Sequence, residues 1–411
     1  MASKSLKHLG MLISPINTNH FFENFWERRP LFVNRDDPDF YRSLLSIENI
    51  DKVLTDLNLR HPVIRLAQSE DMPKPESYTL RDGRIDVLAV TKLFSKGTTI
   101  VLDQMQRRLP TLAALCGDME AEFGGPFQAN IYLTPPNGGG FKVHYDTHDV
   151  FVLQVAGSKE WEICDSPIEL PMPGQNHETA GVEPGAVTQR FTLNAGDMVY
   201  IPRGYYHKAR ASSEASLHIT LGAMLRTWSE LIIEAVSELS LRDVAFRRSL
   251  PIGFGTGQFE RPTTEAAFRM LIAKLTDEAS FPKTADSFQN EFLQSRDSRL
   301  SGQLLQITNL QGLTPDSIVV ARESRIQIIE ESDDRIVIKH LNTTIEFPSH
   351  VGVSLKSLLS GNRSRVLDIE GSLDTPGKLT LARRLIEEYI PARPGSSAID
   401  HQGVAIDSAG N

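Results

Sequence analysis

The chain has 411 residues, 40% of them hydrophobic and 23% charged, with a formal net charge of -9 at pH 7. That length exceeds what one hydrophobic core supports, so two or three domains are expected. The acidic balance argues against a general nucleic-acid binder, which needs a basic surface.

Along the chain, the start carries Lys4, Lys7 and a brief apolar run from Leu9 to Ile13, without the small-residue cleavage pattern of a signal peptide. Nowhere is there an apolar stretch long enough to cross a bilayer. Cys116 and Cys164 form no CxxC or zinc-type spacing, which fits a reducing cytoplasm. The N-terminal part reads as mostly helical. Thr18 or Asn19 is placed to cap a helix from about His20 to Arg28 that Pro30 stops, and further helices are expected over 46–57, 86–95 and 102–115. In the helix over 86–95, Val87, Val90 and Phe94 supply the apolar face.

Between Asn130 and Met224 short alternating strands broken by Gly, Pro and Asn predict a barrel. A loop over 165–186 holds seven prolines and glycines with His177 in its middle, and is placed to lie over the barrel mouth. From Arg226 the period is helical, with Leu231, Ile232, Ala235, Val236 and Leu239 on one stripe. Helices over 263–279 and 287–294 follow. A small unit after about residue 311 has strands at 336–338 and 345–347, a turn near Asn342, and helices near 353–359 and 379–389. The tail over 391–411 has the composition of a disordered segment.

The chemistry centres on His144-Tyr145-Asp146. Residues two apart on a strand share a face, so His144 and Asp146 can reach one metal while Tyr145 points away. Such a pair is common by chance, and a lone strand histidine is more often a core residue. The balance changes with His207, which lies 63 positions later. Asn194-Ala195-Gly196-Asp197 forms a turn, Met198 to Pro202 an apolar strand and Pro202-Arg203-Gly204 a second turn before His207. Two imidazoles and one carboxylate make the facial triad of non-haem Fe(II), with three positions left open. His148 extends the first pair into H-x-D-x-H, but nothing comparable delivers it. It is expected at the substrate entrance or on a neighbouring loop, Asp149 is expected to be structural, and Tyr205 and Tyr206 are weighed as packing against substrate contact.

If Gly157-Ser158 is a hairpin turn, Lys159, Trp161 and Ile163 share the inward face of a strand. An inward lysine is costly unless it meets an anion, snorkels to the rim or pairs with an internal acid. Asn130 and Tyr132 alternate with Ile131 and Leu133, and Ser216, His218 and Thr220 with Leu217, Ile219 and Leu221. That polarity marks either a solvated ligand cavity or the solvent faces of edge strands. His218 is either a supporting donor or a core histidine.

Around these motifs the sequence resembles the JmjC-type cupins, in particular the ribosomal-oxygenase group of 2-oxoglutarate-dependent protein hydroxylases and its bacterial relatives. The resemblance extends to the segment from Asn130 to Pro136, the run from Asp149 to Gly157, and Phe21-Phe22 through Trp26-Glu27-Arg28-Arg29-Pro30. It implies an α+β fold whose core is a double-stranded β-helix, or jelly roll, with flanking helices. It also implies a catalytic domain over 1–225, a helical dimerisation region over 226–310 and a winged-helix-like domain over 311–390. The implied cofactors are Fe(II), 2-oxoglutarate and O2. His144, Asp146 and His207 would be the catalytic metal ligands, and Lys159, 15 residues after the first, would bind 2-oxoglutarate with Asn130, Tyr132 and Thr220. The implied reaction is hydroxylation of a protein or peptide side chain, an arginine or histidine of a ribosomal protein, by a cytoplasmic homodimer.

Three other readings keep the same motifs: a hydroxylase of a small molecule or peptide natural product, a cupin-based ligand-sensing regulator, and a histone demethylase. Residues 311–390 hold 10 Lys or Arg against 12 Asp or Glu, a net of -2, so the basic footprint of a DNA-binding regulator is missing. Neither direct nucleic-acid binding nor membrane association is expected.

Overall fold

The structure, a computed structural model, describes residues 7–68, 72–177, 181–295, 303–320, 326–340, 343–360 and 362–388. The expected tail over 391–411 and the turn at Asn342 lie outside the described residues. The chain divides between Leu225 and Arg226 into two compact units.

The first unit is built on ten strands: β1 Leu31–Val33, β2 Ile64–Ala67, β3 Thr99–Leu102, β4 Phe127–Thr134, β5 Asp149–Ala156, β6 Ser158–Cys164, β7 Val187–Asn194, β8 Met198–Ile201, β9 His207–Ala211 and β10 Ser216–Ala223. They form a seven-stranded sheet in the order β1-β8-β5-β10-β4-β3-β2 and a three-stranded sheet in the order β7-β6-β9. Pairing is antiparallel in both. Two facing sheets wound this way are the jelly roll of a cupin.

Strand alternation gives the large sheet two different faces. Phe151, Leu153, Ile131, Leu133, Ile219 and Leu221 point outward, where Leu9, Phe21, Leu112 and Met119 of the flanking helices cover them. Val150, Val152, Val199 and Ile201 point inward and meet Trp161, Ile163 and Leu193 of the small sheet in a separate core. Register puts five polar residues on that inner face. Thr220 pairs with Asn130 and with Val152, and His218 pairs with Tyr132 and Gln154. The alternating polarity is therefore that of an enclosed interior, not of solvent-facing edge strands.

The helix starts follow capping chemistry. Ser46 and Asn49 make a capping box on Ile47–Asp56, and the Asp86 side chain caps Val87–Phe94. Two expectations need correction. The helix expected over 20–28 spans Thr18–Asn24 and is capped by Asn17, whose side chain accepts from the His20 N–H at 2.8 Å; it ends before Arg28. The helix expected over 102–115 is instead strand up to Leu102 followed by a helix at Pro110–Phe123. Pro110 cannot sit inside a helix but suits its first turn, and Gly124 at φ 69° ends it.

The second unit has helices Trp228–Arg242, Arg261–Glu278 and Phe281–Gln294, the last starting earlier than position 287 because Pro282 occupies its first turn. A three-stranded meander follows, Ile326–Glu331, Arg335–His340 and Thr343–Pro348, with helices Gly352–Leu359 and Thr375–Glu387. Its first strand was not anticipated, and its last helix starts before Leu379 because Asp374 caps it. Ile336, Ile338, Ile345, Phe347, Leu355 and Leu385 form its core.

Candidate metal centre and barrel interior

His144 is not on a continuous strand. It makes a single β-bridge with His207: the His144 N–H donates to the His207 carbonyl at 3.2 Å, and the His207 N–H returns a bond of 2.8 Å. The reason is topological. Gly139 bridges Arg210 in the same way, so this segment runs beside β9 of the small sheet and must then cross to become β5 of the large one. Asp146 lies in that crossing, where its carbonyl accepts from the Gly204 N–H at 3.0 Å. Both motifs are thereby pinned to each other at the sheet edge.

The ligand atoms of His144, Asp146 and His207 all lie within 4.8 Å of one another, and His207 Nε2 is 3.7 Å from Asp146 Oδ2. Each imidazole is oriented by backbone. His144 Nδ1 donates to the Lys142 carbonyl at 2.8 Å and His207 Nδ1 to the Tyr205 carbonyl at 3.0 Å. A carbonyl cannot donate, so the proton sits on Nδ1 and each Nε2 presents its lone pair. Burial, with repulsion from His144, pushes His207 down to about 4 against the pull of Asp146. Burial alone would raise Asp146, but His148, His207, His144 and His177 together hold it below the usual carboxylate value. A neutral imidazole beside an ionised carboxylate is the state a divalent cation requires.

Tyr145 points away from this group and is buried against Tyr206, ring centroids 5.0 Å apart. Their hydroxyls donate to the carbonyls of Gln175 and Val182, both at 2.5 Å, which holds parts of the loop over 165–186 beside the ligands. Tyr206 is thus a packing residue. The Tyr205 hydroxyl donates to the Arg28 carbonyl at 2.7 Å. His177 sits with its ring 5.6 Å from that of His144. His148 does not join the three-ligand group; its ring lies against Gly222, where a Cβ would meet it at 2.8 Å. Asp149 is buried and accepts from Tyr200 at 2.7 Å and Arg203 at 2.6 Å, and Arg203 also pairs with Glu27 at 2.7 Å.

Lys159 is 3% exposed on the inner face of β6, and burial alone pushes it down to about 7. No acid among the described residues offsets that burial. Asn130 Oδ1 accepts from the Gln104 N–H at 2.9 Å, and Tyr132 stacks flat on His218 at 4.7 Å. Three features go beyond the sequence reading, which left His218 open between a supporting donor and a core histidine. Arg65 makes a bidentate pair with Asp103 at 2.5 and 2.9 Å, lies 5.7 Å from the Phe141 ring and shares the β-row of Tyr132. Its alternation within Ile64-Arg65-Leu66 was the available signal. The other two are the buried polar atoms Trp161 Nε1 and His218 Nδ1, which have no hydrogen-bond partner among the described residues.

Residues 102–231 match the model of the JmjC domain. Those residues form a JmjC domain. Ribosomal oxygenase 1 of Danio rerio is 29% identical over 301 residues, 69% of this chain and 55% of that protein. Ribosomal oxygenase 1 of Rattus norvegicus is 31% identical over 69% of this chain and 50% of its own length. The bifunctional lysine-specific demethylase and histidyl-hydroxylase NO66 of Drosophila yakuba is 33% identical over 59% of this chain and 37% of its length. The chain thus spans about half the length, or less, of these curated relatives. Among solved structures, the Escherichia coli ribosomal oxygenase YcfD, in complex with cobalt and 2-oxoglutarate, aligns with a TM-score of 0.52 and 18% identity over 92% of this chain and 98% of that one. At that identity the likeness is one of fold.

Proposed function

We propose that this JmjC-domain chain is an Fe(II)- and 2-oxoglutarate-dependent dioxygenase that hydroxylates a protein side chain, with an arginine or histidine of a ribosomal protein as the substrate class. One observation carries the reading: a two-histidine, one-aspartate triad with both Nε2 lone pairs free, and a buried lysine without an acid partner inside the same barrel. A metal at the sheet edge and a cation in the interior suit a ligand that is a chelating 2-oxo acid at one end and an anion at the other. Nitrogen, nitrogen and oxygen donors fit Fe(II), which with 2-oxoglutarate and O2 supplies oxygen insertion into an unactivated C–H bond.

The protein's own work is positioning. The Lys142 and Tyr205 carbonyls fix the imidazoles, while Val150, Val152, Val199 and Ile201 keep water from the inner face. Asn130, Tyr132 and Thr220 line that face beside Lys159 as the cosubstrate wall. Relatives named ribosomal oxygenase and histidyl-hydroxylase, and YcfD bound to cobalt and 2-oxoglutarate, support the choice of cosubstrate and of a protein substrate.

Purified protein is expected to convert 2-oxoglutarate to succinate only with Fe(II). Changing His144, Asp146 or His207 to Ala should abolish metal binding and turnover alike, while His148→Ala retains metal. Full turnover in His207→Ala, with loss in His148→Ala, would show that the third ligand is misassigned. Capture of partners on the Asp146→Ala protein, then mass spectrometry for one added oxygen after incubation with active enzyme, identifies the substrate. A small-molecule product would displace the protein-substrate reading.

We assign 1–225 to catalysis, 226–310 to homodimerisation and 311–390 to a winged-helix-like domain that does not contact nucleic acid. The exposed apolar side chains on helices Trp228–Arg242 and Arg261–Glu278 support the dimer, and the meander with its two helices supports the last. No helix among the described residues is long and apolar enough to cross a membrane. Cys116 and Cys164 are both buried thiols outside any disulfide, which supports a cytoplasmic site of action.

A further inference from the structure

The barrel interior holds more unmade hydrogen-bonding capacity than the metal triad accounts for. Lys159 has no compensating acid. Two residues further along β6, on the same face, the indole Nε1 of Trp161 is buried without a partner among the described residues. On β10 of the facing sheet, His218 Nδ1 is in the same condition. The two rings are edge to face at 6.1 Å, so these orphans belong to one place. Native interiors leave few such atoms unpaired, and a cluster of them marks a missing ligand or water.

The chemistry of the atoms selects the ligand. An indole N–H is a donor only, an ammonium is a donor only, and a neutral imidazole offers one N–H. Three convergent donors ask for an acceptor with lone pairs in several directions, which a carboxylate has and a single water lacks. We propose that Trp161 Nε1 and the His218 imidazole join Lys159 in gripping the carboxylate of 2-oxoglutarate remote from the metal. This assignment rests on the cosubstrate reading above.

The placement supports it in two further ways. The Trp161 ring is 5.9 Å from His207 and 6.1 Å from His218, so one indole spans the distance from the triad to the anion end. His218 is fixed by its flat stack on Tyr132, interplanar angle 5°. Burial, reinforced by Lys159, keeps its pKa well below the ordinary value, so it contributes a neutral N–H without a second positive charge. Gln154 Oε1, also buried and without a partner among the described residues, is an acceptor and so adds nothing to this set of donors.

The test uses full-length Co(II)-loaded protein and two ligands: 2-oxoglutarate, and 2-oxopentanoate, which chelates the same way but lacks the remote carboxylate. Trp161→Phe and His218→Phe keep an aromatic ring and remove the hydrogen-bonding nitrogens, and 2-oxopentanoate controls for the change in ring size. Each is expected to weaken 2-oxoglutarate by about ten-fold, the usual loss of one hydrogen bond to a charged group, and to leave Co(II) and 2-oxopentanoate affinity unchanged. In protein loaded with diamagnetic Zn(II), the indole N–H resonance that disappears in Trp161→Phe should move well downfield with 2-oxoglutarate and much less with 2-oxopentanoate. Equal affinities of wild type and both variants for 2-oxoglutarate would overturn the proposal, leaving water as the occupant. Parallel loss of both acids would also overturn it, by assigning the rings to packing alone. A loss in one variant only removes the other residue from the cradle. Wild-type protein that binds metal but neither acid would overturn the cosubstrate reading itself.

Discussion

A buried lysine is charged or neutral according to what stands beside it. Burial pushes Lys159 down to about 7, and the titratable group that feels it is His218, itself kept neutral by burial. Free protein at about pH 8 therefore carries this lysine mostly uncharged, whereas at about pH 6 it is mostly protonated. An adjacent carboxylate raises its pKa, so binding at the higher pH must take up a proton and affinity falls as pH rises through 7 and above. Calorimetry of 2-oxoglutarate binding in buffers of different ionisation heat should report uptake near zero at about pH 6, rising toward one proton at about pH 8. Uptake that stays at zero at the higher pH would remove Lys159 from the anion site. Lys159→Ala should weaken the cosubstrate by about 30-fold or more at about pH 6, where the lost contact is fully charged, and leave metal affinity intact.

Strand and turn decide whether those residues meet. Gly157 joins β5 to β6 at φ 61°, and a Cβ there would run into the Ala215 carbonyl oxygen. Gly157→Ala should cost about 1–3 kcal/mol through left-handed strain and that clash, visible as a fall in Tm of several degrees. Because Lys159 lies two residues on, while His144 and His207 are pinned by their own bridge, 2-oxoglutarate affinity should suffer more than metal affinity. The inward faces of β4, β6 and β10 were legible in sequence because period-2 alternation is a local property. Pro110 as the first turn of a helix, and not a residue within one, was also legible in the sequence, since proline suits only that position. The departure of His144 from a regular strand was hidden, since its partner His207 belongs to another sheet. Trp161 escaped for the same reason, and His218 stayed open between a supporting donor and a core histidine: an indole on an alternating strand reads as core, and only the facing sheets reveal that its N–H has nothing to bond.

At the scale of the molecule, the second unit has apolar surface without an intrachain partner among the described residues. Leu239 is fully buried, as the inner stripe of an amphipathic helix should be, but Trp228, Ile232 and Ile233 are 77%, 57% and 64% exposed. Trp228 and Ile232 are four apart and so share a helix face. Helix Arg261–Glu278 buries no residue, and its Phe268 is 61% exposed. Contiguous apolar surface of this kind marks an interface. A second copy of the chain is the simplest cover, because a two-fold axis uses one patch twice, and an obligate contact buries on the order of 2,000 Å². Light scattering at micromolar concentration should therefore give twice the chain mass for wild type and a single chain mass for the double variant Trp228→Glu, Ile232→Glu. The residues placed in the metal and cosubstrate site all lie before Leu225, in the other compact unit, so the monomeric variant should still bind Co(II) and 2-oxoglutarate. A wild-type protein of single-chain mass would sink the dimer, as would a dimer that survives both charges.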